Sequence, residues 1–263
     1  MSAVAAGEPG PATALLRTCA AESSRVWSLR STWWLVAATS LAVLGVATLF
    51  GYDVSDDLDQ PELTAWVAGQ FAGMFGLFGI AATALVLTTS DYGSGGIVPT
   101  LQWTPRRSRV LVARVGVVVG TCTAVGLVLV TLAATIVWRF APQLGLPLGE
   151  GLEALAGTAF VYAGASALAA GLGLLLRNTG GGLVSVLALV LVLPLLFAII
   201  GTSWSLTLAE LLPGSGALHL LLVDGPGGPV EMTTGAARVV LGSWAVGALV
   251  IGGWRLLATD ADR

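Results

Sequence analysis

The sequence contains no lysine, one histidine and two cysteines in 263 residues, and only 10% of the residues are charged. A soluble domain carries about 25% charged residues, so this composition excludes an ordinary soluble fold. The lack of lysine excludes a Walker A loop within the sequence, because the lysine of that motif reaches the nucleotide phosphates. A single histidine likewise cannot supply an HExxH zinc motif, which needs two. The chain is instead 56% hydrophobic and holds 35 glycines.

The few residues that could carry chemistry are far apart along the chain. Cys19 precedes the first apolar run and Cys122 lies within the third, so we expect them to be small buried or interfacial residues rather than a disulfide. We interpret His219 as a polar residue of an outer loop, since one histidine does not make a metal site. No Ser/His/Asp set can be placed on one side of a membrane. The sequence therefore predicts neither an enzyme nor a metal site.

Six long apolar runs predict six membrane-spanning helices. About 20 apolar residues cross the hydrocarbon core as a helix, because the backbone must satisfy its own hydrogen bonds there. The runs cover residues 33–50, 66–88, 110–138, 155–176, 183–200 and 236–258. We therefore predict an all-α membrane protein with a cytoplasmic lead and amphipathic helix over 1–32, a six-helix domain over 33–258 and a cytoplasmic tail over 259–263.

The arginines are concentrated on one side of the predicted membrane. Ten of the twelve fall on one side of a six-span arrangement, with Arg139 and Arg238 as the exceptions, whereas acidic residues dominate the opposite loops. Positively charged loops stay in the cytoplasm. The pattern predicts that both termini are cytoplasmic.

Residues 13–31 predict a helix that lies on the membrane surface. One side of this helix is apolar and the other carries charges, which is typical of interfacial helices. The apolar side would hold Leu15, Leu16, Cys19, Val26 and Trp27, and the charged side Arg17, Glu22, Arg25 and Arg30. The alternative is a polar lead that merely precedes the first span.

The outer segment 201–234 contains two apolar runs that are too short to cross the bilayer. They predict either short helices at the outer surface or a re-entrant pair, and we favour surface helices.

Pro194, within the fifth span, predicts a kink whose freed carbonyl is satisfied by neighbouring residues. Small residues four apart predict close helix packing: Gly69 and Gly73, Gly116 and Gly120, Ala159 and Ala163.

The inner segment 90–109 is the most informative loop. Its glycines allow a turn, and Ile97, Val98 and Leu101 share one face of a short predicted helix. Thr104 and Pro105 have the form of an N-cap and first helical residue for the third span. Arg114 lies within the apolar pattern, and we expect its long stem to snorkel to the headgroups. Residues 177–182 predict a second, tight inner turn.

The six apolar runs contain no aspartate or glutamate. Ion-coupled transporters generally place carboxylates near the midplane, where the ion is bound. The pattern therefore disfavours a proton- or sodium-coupled mechanism, although backbone carbonyls alone can hold sodium. Any ATP-driven mechanism would need nucleotide bound to another polypeptide.

Three stretches resemble the membrane subunits, or permeases, of ABC type 2 exporters, particularly those of actinobacteria. Residues 22–34 resemble the family's lead-in, in which an acidic and a basic residue precede an Arg-Ser-Thr-Trp-Trp-like run. Residues 90–107 together with Arg114 resemble its cytoplasmic loop, and residues 211–214 its outer Leu-Leu-Pro-Gly stretch. Two residues depart from the pattern. Asp91 stands where the family has glutamate, and Arg114 where it has lysine.

The resemblance implies a multi-pass subunit of a bacterial cell membrane that pairs with a second permease copy and with two cytoplasmic ATPase subunits. ATP and magnesium would bind to those partners, with no cofactor on this chain and no nucleic acid. The loop between the second and third spans would dock into the ATPase as a coupling helix. The implied contacts are Asp91, Tyr92, Gly95, Ile97, Leu101, Arg106 and Arg107, supported by Glu22 and Arg25.

Aromatic residues in the spans suit an amphipathic, lipid-like or antibiotic-like cargo. The predicted substrate path contains Phe71, Phe75, Phe78 and Tyr162. Two other functions remain as alternatives: an ion-coupled secondary transporter or channel, and a non-transporting membrane anchor or immunity protein.

Overall fold

The structure is a computed structural model and describes residues 11–56, 63–94, 107–222 and 232–258. Within these ranges every regular element is helical. The helices are α1 (Pro11–Ser28), α2 (Arg30–Asp56), α3 (Ala65–Ser94), α4 (Arg107–Phe140), α5 (Leu148–Leu176), α6 (Thr179–Ile200), α7 (Ser203–Glu210), α8 (Pro213–Leu221) and α9 (Thr234–Ala258). A 3₁₀ turn, Pro142–Leu144, precedes α5.

Six of the described helices, α2 to α6 and α9, are long and apolar enough to cross a membrane. Each predicted run lies within one of them, so the prediction of an all-α structure with six helices able to span a membrane is confirmed for the described residues. The helices extend past the runs; α5, for example, begins at Leu148, directly after the extended backbone of Pro147. Hydropathy misses this first part of α5 because it contains Glu150 and Glu153.

The spans alternate in direction, so α2, α4 and α6 begin at the end of the bundle where α3, α5 and α9 finish. We call this end the basic end, because Arg25, Arg114, Arg177 and Arg255 lie there. The opposite end is the acidic end. Which end faces the cytoplasm stays a prediction from the arginine distribution.

The helices α3 and α5 form the centre of the bundle and are the most buried of the six spans. Tyr162 of α5 is fully buried, and its hydroxyl donates a hydrogen bond of 2.9 Å to the carbonyl oxygen of Gly73 in α3. A Cβ at Gly69 would lie 2.8 Å from the Cβ of Ala134 in α4. The predicted packing role of Gly69 and Gly73 is therefore confirmed.

The predicted pair Gly116 and Gly120 does not pack in the same way, and a packing role of Ala159 and Ala163 stays a prediction. A Cβ at Gly116 or Gly120 would meet nothing within 4 Å, so both face away from the described part of the chain. The backbones of α5 and α9 approach closely at Gly171 and Gly252, where an added Cβ would meet backbone atoms of the other helix, and the predicted pairs do not include these two glycines.

The inner turn before α6 is shorter than predicted. It consists of Arg177, whose φ is 52°, and Asn178, whose side chain accepts a hydrogen bond of 2.9 Å from the backbone N–H of Gly181. This cap starts the helix at Thr179, so the expectation of a turn over 177–182 is wrong for residues 179–182.

Proline 194 changes the backbone of α6 in the way that its chemistry requires. Pro194 has no N–H to donate to the carbonyl of Val190, and the helix passes through one π segment, Ala188–Val192. Gly214 of α8 packs against that carbonyl, where a Cβ would overlap the Val190 oxygen. Only glycine permits this approach. The freed carbonyl is thereby covered by α8, as backbone in a membrane interior must be.

The helices α7 and α8 form a hairpin that enters the bundle from the acidic end. At its tip, the indole nitrogen of Trp244 donates a 2.7 Å hydrogen bond to the carbonyl oxygen of Leu211. Trp244 lies ten residues into α9, and Val190, which Gly214 contacts, lies ten residues before the end of α6. At about 1.5 Å per residue, Val190 and Trp244 lie about 15 Å along α6 and α9 from the ends of these helices, so the hairpin reaches into the bundle.

Of the segment 201–234, the structure describes residues 201–222 and 232–234, and α8 packs inside the bundle whereas α7 is largely exposed. The choice between surface helices and a re-entrant pair stays a prediction. Every residue of Pro213–Leu221 except His219 is buried, so the polar backbone of this short helix is enclosed by protein. Runs too short to cross a bilayer can enter it when the surrounding helices cover them.

Candidate functional site

Four charged side chains meet at the basic end where α1, α3 and α4 come together. Glu22 and Arg25 lie one turn apart on α1, Asp91 lies near the end of α3, and Arg114 lies in the second turn of α4. We call these four residues the charge ring. Glu22, Arg25 and Asp91 are among the predicted contacts, so the structure brings three of those residues together.

Each arginine of the charge ring bonds to both carboxylates. Arg114 donates from Nη2 to Oε1 of Glu22 at 3.1 Å and to Oδ2 of Asp91 at 2.6 Å. Arg25 donates from Nη1 to Oε2 of Glu22 at 3.0 Å and from Nη2 to Oδ1 of Asp91 at 2.8 Å. The ring is closed and has two charges of each sign, so it adds no net charge to the membrane boundary.

Burial gives the charge ring its energetic importance. The Arg114 side chain is 3% exposed and that of Glu22 is 8% exposed, whereas those of Arg25 and Asp91 remain partly accessible. The expectation that Arg114 snorkels is wrong, because two carboxylates from other helices reach it instead. Charge-assisted bonds are among the stronger contacts in proteins, and removing one partner of a buried pair costs about 3–5 kcal/mol.

The charge ring explains how α1 sits on the bundle. Glu22 and Val26 face the bundle, although Glu22 was expected on the solvent side, whereas Leu16 is 70% exposed and Trp27 is 40% exposed. An ion pair, in addition to an apolar contact, thus holds α1. The exposed apolar side chains are compatible with a membrane surface, and the interfacial position of α1 stays a prediction.

A second set of contacts fixes the other side of α3. The guanidinium carbon of Arg177 lies 5.8 Å from the ring centroid of Tyr92, which directly follows Asp91. Arg177 donates to the carbonyl oxygen of Arg255 at 3.1 Å, and Arg255 donates to the carbonyl oxygen of Leu175. Cations at helix C-termini are favourable because the last carbonyls there lack partners. The final turns of α3 are thus held from both sides.

A groove of about 410 Å³ opens beside the charge ring, between α1 and α4. The groove exposes one edge of the ring to the surroundings of the basic end. Its lining residues are Arg17, Thr18, Ala21, Glu22, Arg25, Val110 and Arg114.

The remaining predicted contacts cannot be placed in the same way. Gly95, Ile97, Leu101 and Arg106 lie outside the described residues, as does the predicted N-cap at Thr104. Arg107 is described as the first residue of α4 through its backbone alone. Their role in docking stays a prediction.

The predicted substrate path divides into two parts. The ring of Phe71 lies 5.3 Å from that of Phe50 and 5.6 Å from that of Phe75, and Phe75 is 48% exposed. Phe78 is partly buried against the core. Tyr162 is enclosed and bonded to Gly73, so it joins helices in this conformation rather than lining a surface. Contact of these four residues with a substrate stays a prediction.

The sequence reasoning missed the pairing of Arg114 with Glu22 and Asp91. A signal was present, because an arginine within an apolar run usually has a polar or charged partner. The caps made by Arg177 and Arg255 were also missed, although basic residues in the last turns of helices are a familiar sign of them.

Models of known protein families do not match this chain, and comparison with curated proteins gives no match either. The likeness to ABC exporter permeases therefore rests on the short stretches described above.

Proposed function

We propose that this chain is the permease subunit of an ATP-driven exporter, coupled at its basic end to separate ATPase subunits. The observation that carries the proposal is the charge ring, which joins α1 to both helices that flank residues 95–106. A force applied to that segment would reach α1, α3 and α4 together. Such a linked unit is what a transporter needs when its nucleotide binds to another protein.

The composition supports the same proposal. The sequence has no lysine and so no Walker A loop. Energy from ATP must then enter through a contact with a partner. Under this proposal, two copies of the chain and two ATPase subunits form the transporter, and ATP binding biases the paired bundles between conformations. The cargo would be amphipathic, lipid-like or antibiotic-like.

The test is purification of the tagged chain from its native membranes in mild detergent. We expect a polypeptide with Walker A and Walker B motifs to co-purify in equal amount, with ATP hydrolysis that vanadate inhibits. Replacing residues 95–101 by a Gly/Ser linker should abolish this association while the chain still inserts into membranes. A Gly/Ser replacement of residues 224–229, in the segment that precedes α9, is the matched control and should retain the ATPase.

A chain that purifies alone, or that retains the ATPase after the first replacement, would overturn the docking proposal. Transport by the chain in liposomes without ATP would favour a secondary transporter instead. Protection of cells from a toxic peptide without export would favour an immunity protein.

A further inference from the structure

The acidic end contains a cavity of about 460 Å³ that the proposed function does not use. It lies between the first turns of α3, α5 and α9 and one side of α8. Pockets that bind small molecules usually measure about 300–1,000 Å³, so this cavity can hold a ligand of modest size. Its wall carries three charged side chains, Glu150 and Glu153 from α5 and Arg238 from α9.

The three charges favour a ligand that carries both signs. In the ranges that the structure describes, none of these side chains forms an ion pair. An anion alone would be repelled by the two carboxylates, and a cation alone would leave Arg238 uncompensated. A zwitterion whose positive group lies against α5 and whose negative group lies against α9 is complementary to both parts of the wall.

Gln70, which also lines the cavity, indicates which positive group fits. Its Nε2 donates to the carbonyl oxygen of Ala154 at 3.2 Å and to Oγ1 of Thr158 at 3.3 Å. The carbonyl oxygen of Ala154 can only accept, so the nitrogen of Gln70 must lie on that side. The Oε1 of Gln70 is then left as an acceptor to which no described residue donates. With the two carboxylates it gives three acceptor groups, which matches the three N–H donors of a primary ammonium.

Donors for the negative group come from α9 and from the start of α3. Arg238 presents a guanidinium, which bonds to a phosphate through two N–H groups. The hydroxyl of Thr64, which also lines the cavity, is buried and has no hydrogen-bond partner among the described residues. Buried polar groups normally have a partner, so an anionic oxygen in the cavity would satisfy this donor.

The outer surface beside the cavity is apolar. Leu148 and Leu152 lie one turn apart at the start of α5 and are 82% and 72% exposed. The neighbouring spans also end in exposed aromatic side chains, which concentrate at the boundary between membrane and water. The cavity therefore lies at the level of lipid head groups. The exposed aromatic residues are Tyr52 in α2 and Trp138 and Phe140 in α4.

We propose that this cavity binds the head group of a phospholipid that carries a primary ammonium next to its phosphate, as in phosphatidylethanolamine. The ammonium bonds to Glu150, Glu153 and Gln70, and the phosphate bonds to Arg238. The acyl chains lie along the exposed leucines of α5. The inference goes beyond the proposed function, because it concerns the end of the bundle opposite to the ATPase contact and needs no ATP.

The experiment is native mass spectrometry of the full chain in mild detergent. Phosphatidylethanolamine, phosphatidylcholine and phosphatidylglycerol with the same acyl chains are added at equal concentration. We expect phosphatidylethanolamine to bind at least about tenfold more tightly than phosphatidylcholine, the equivalent of about 1.4 kcal/mol, since a trimethylammonium has the same charge but no N–H donor. Glycerophosphoethanolamine, which has the head group without acyl chains, should not displace the lipid at equal concentration.

Two sets of variants divide the site into its parts. The double variant Glu150→Gln with Glu153→Gln keeps the shape of the wall but removes its negative charge, so the preference for phosphatidylethanolamine over phosphatidylcholine should be lost. Arg238→Gln should weaken both lipids alike, because both contain a phosphate. The matched controls are Asp53→Asn and Arg139→Gln, which remove exposed charges at the acidic end outside the cavity and should leave binding unchanged.

Equal binding of phosphatidylethanolamine and phosphatidylcholine by the parent chain would overturn the inference, as would an unchanged preference in the double variant. Displacement by glycerophosphoethanolamine would also overturn it, in favour of a soluble zwitterion. A preference for phosphatidylglycerol would contradict it, because Arg238 alone would then attract the lipid. Thermal unfolding shows that the variants are folded, and it should change little because the replaced side chains are exposed. None of these outcomes depends on whether an ATPase co-purifies.

Discussion

The two ends of the bundle treat charge in opposite ways. At the basic end, Arg25 and Arg114 bond to two carboxylates in a closed ring, and Arg114 is 3% exposed. At the acidic end, Glu150, Glu153 and Arg238 are exposed and line an open cavity of about 460 Å³ between α3, α5, α8 and α9. The basic end is thus held by buried ion pairs, whereas the described contacts at the acidic end are neutral. They consist of close packing and of hydrogen bonds such as the one from the Trp66 indole nitrogen to the carbonyl oxygen of Pro147 at 3.0 Å.

The different treatment of charge at the two ends indicates which helices can move relative to one another at each end. A closed network of buried charges has one favourable geometry, so α1, α3 and α4 should move together at the basic end. At the acidic end the hairpin is fitted by glycine contacts to α6 and α9, which fix its position without fixing any charge. Four predictions test this contrast, from the largest expected effect to the smallest.

The largest effect should follow from removing the most buried charge of the ring. Arg114→Met keeps an unbranched apolar stem but removes the guanidinium, and so leaves Glu22 and Asp91 close together with only Arg25 to pair them. We expect a loss of about 3–5 kcal/mol, which corresponds to a fall in unfolding temperature of about 10 °C. The measurement is thermal unfolding of the detergent-solubilised chain, followed by tryptophan fluorescence.

The matched control for that variant is Arg238→Met at the acidic end. Arg238 is exposed, so its loss should change the unfolding temperature little. If both arginines proved equally important, the contrast between the two ends would be wrong.

A smaller loss of stability should follow when residue 114 keeps its positive charge but loses the hydrogen-bond geometry of the guanidinium. Arg114→Lys retains the positive charge, but one ammonium group cannot reproduce the contact that both Nε and Nη2 make with Oε1 of Glu22 while Nη2 also bonds to Asp91. We expect a loss of about 1.5–3 kcal/mol, the range for hydrogen bonds to charged groups. The longer acid of Asp91→Glu should restore part of it in the double variant, which a double-mutant cycle would measure as positive coupling.

Independent, additive effects of Arg114→Lys and Asp91→Glu would contradict direct contact between the two side chains. Arg238→Lys, at the acidic end, serves as the control for the chemical change itself and should be neutral.

The sequence predicted the six apolar helices of the molecule and missed the contacts between its helices. Hydropathy located all six spans because each is a long run of apolar residues. It did not place α7 and α8, since the depth of a short apolar run depends on whether other helices enclose it. Gly214, Val190 and Trp244 decide that depth, and they are far apart in sequence. The pairing of Glu22, Asp91 and Arg114 is missed for the same reason.

The next prediction concerns the acidic half, where close packing of the backbones fixes the position of the hairpin. Gly214→Ala adds a Cβ that would overlap the carbonyl oxygen of Val190. We expect a loss of about 1–3 kcal/mol, the usual cost of overpacking, measured as in the arginine variants. Gly247→Ala in α9 is the control, because a Cβ there meets nothing within 4 Å. It should be neutral or raise stability slightly through helix propensity. Equal behaviour of the two alanine variants would mean that the hairpin does not approach α6 as described.

The smallest effect should come from the exposed carboxylates at the mouth of the acidic-end cavity. Glu153→Gln removes one charge from a solvated position without changing shape, so we expect a change in stability within about 0.5 kcal/mol. The same measurement on Asp91→Asn should give a clear loss, because Asp91 accepts hydrogen bonds from both arginines of the charge ring. A loss above about 1 kcal/mol for Glu153→Gln would indicate that Glu153 pairs with Arg238 across the cavity. The acidic end would then also be held by charge, and coordinated motion would no longer be specific to the basic end.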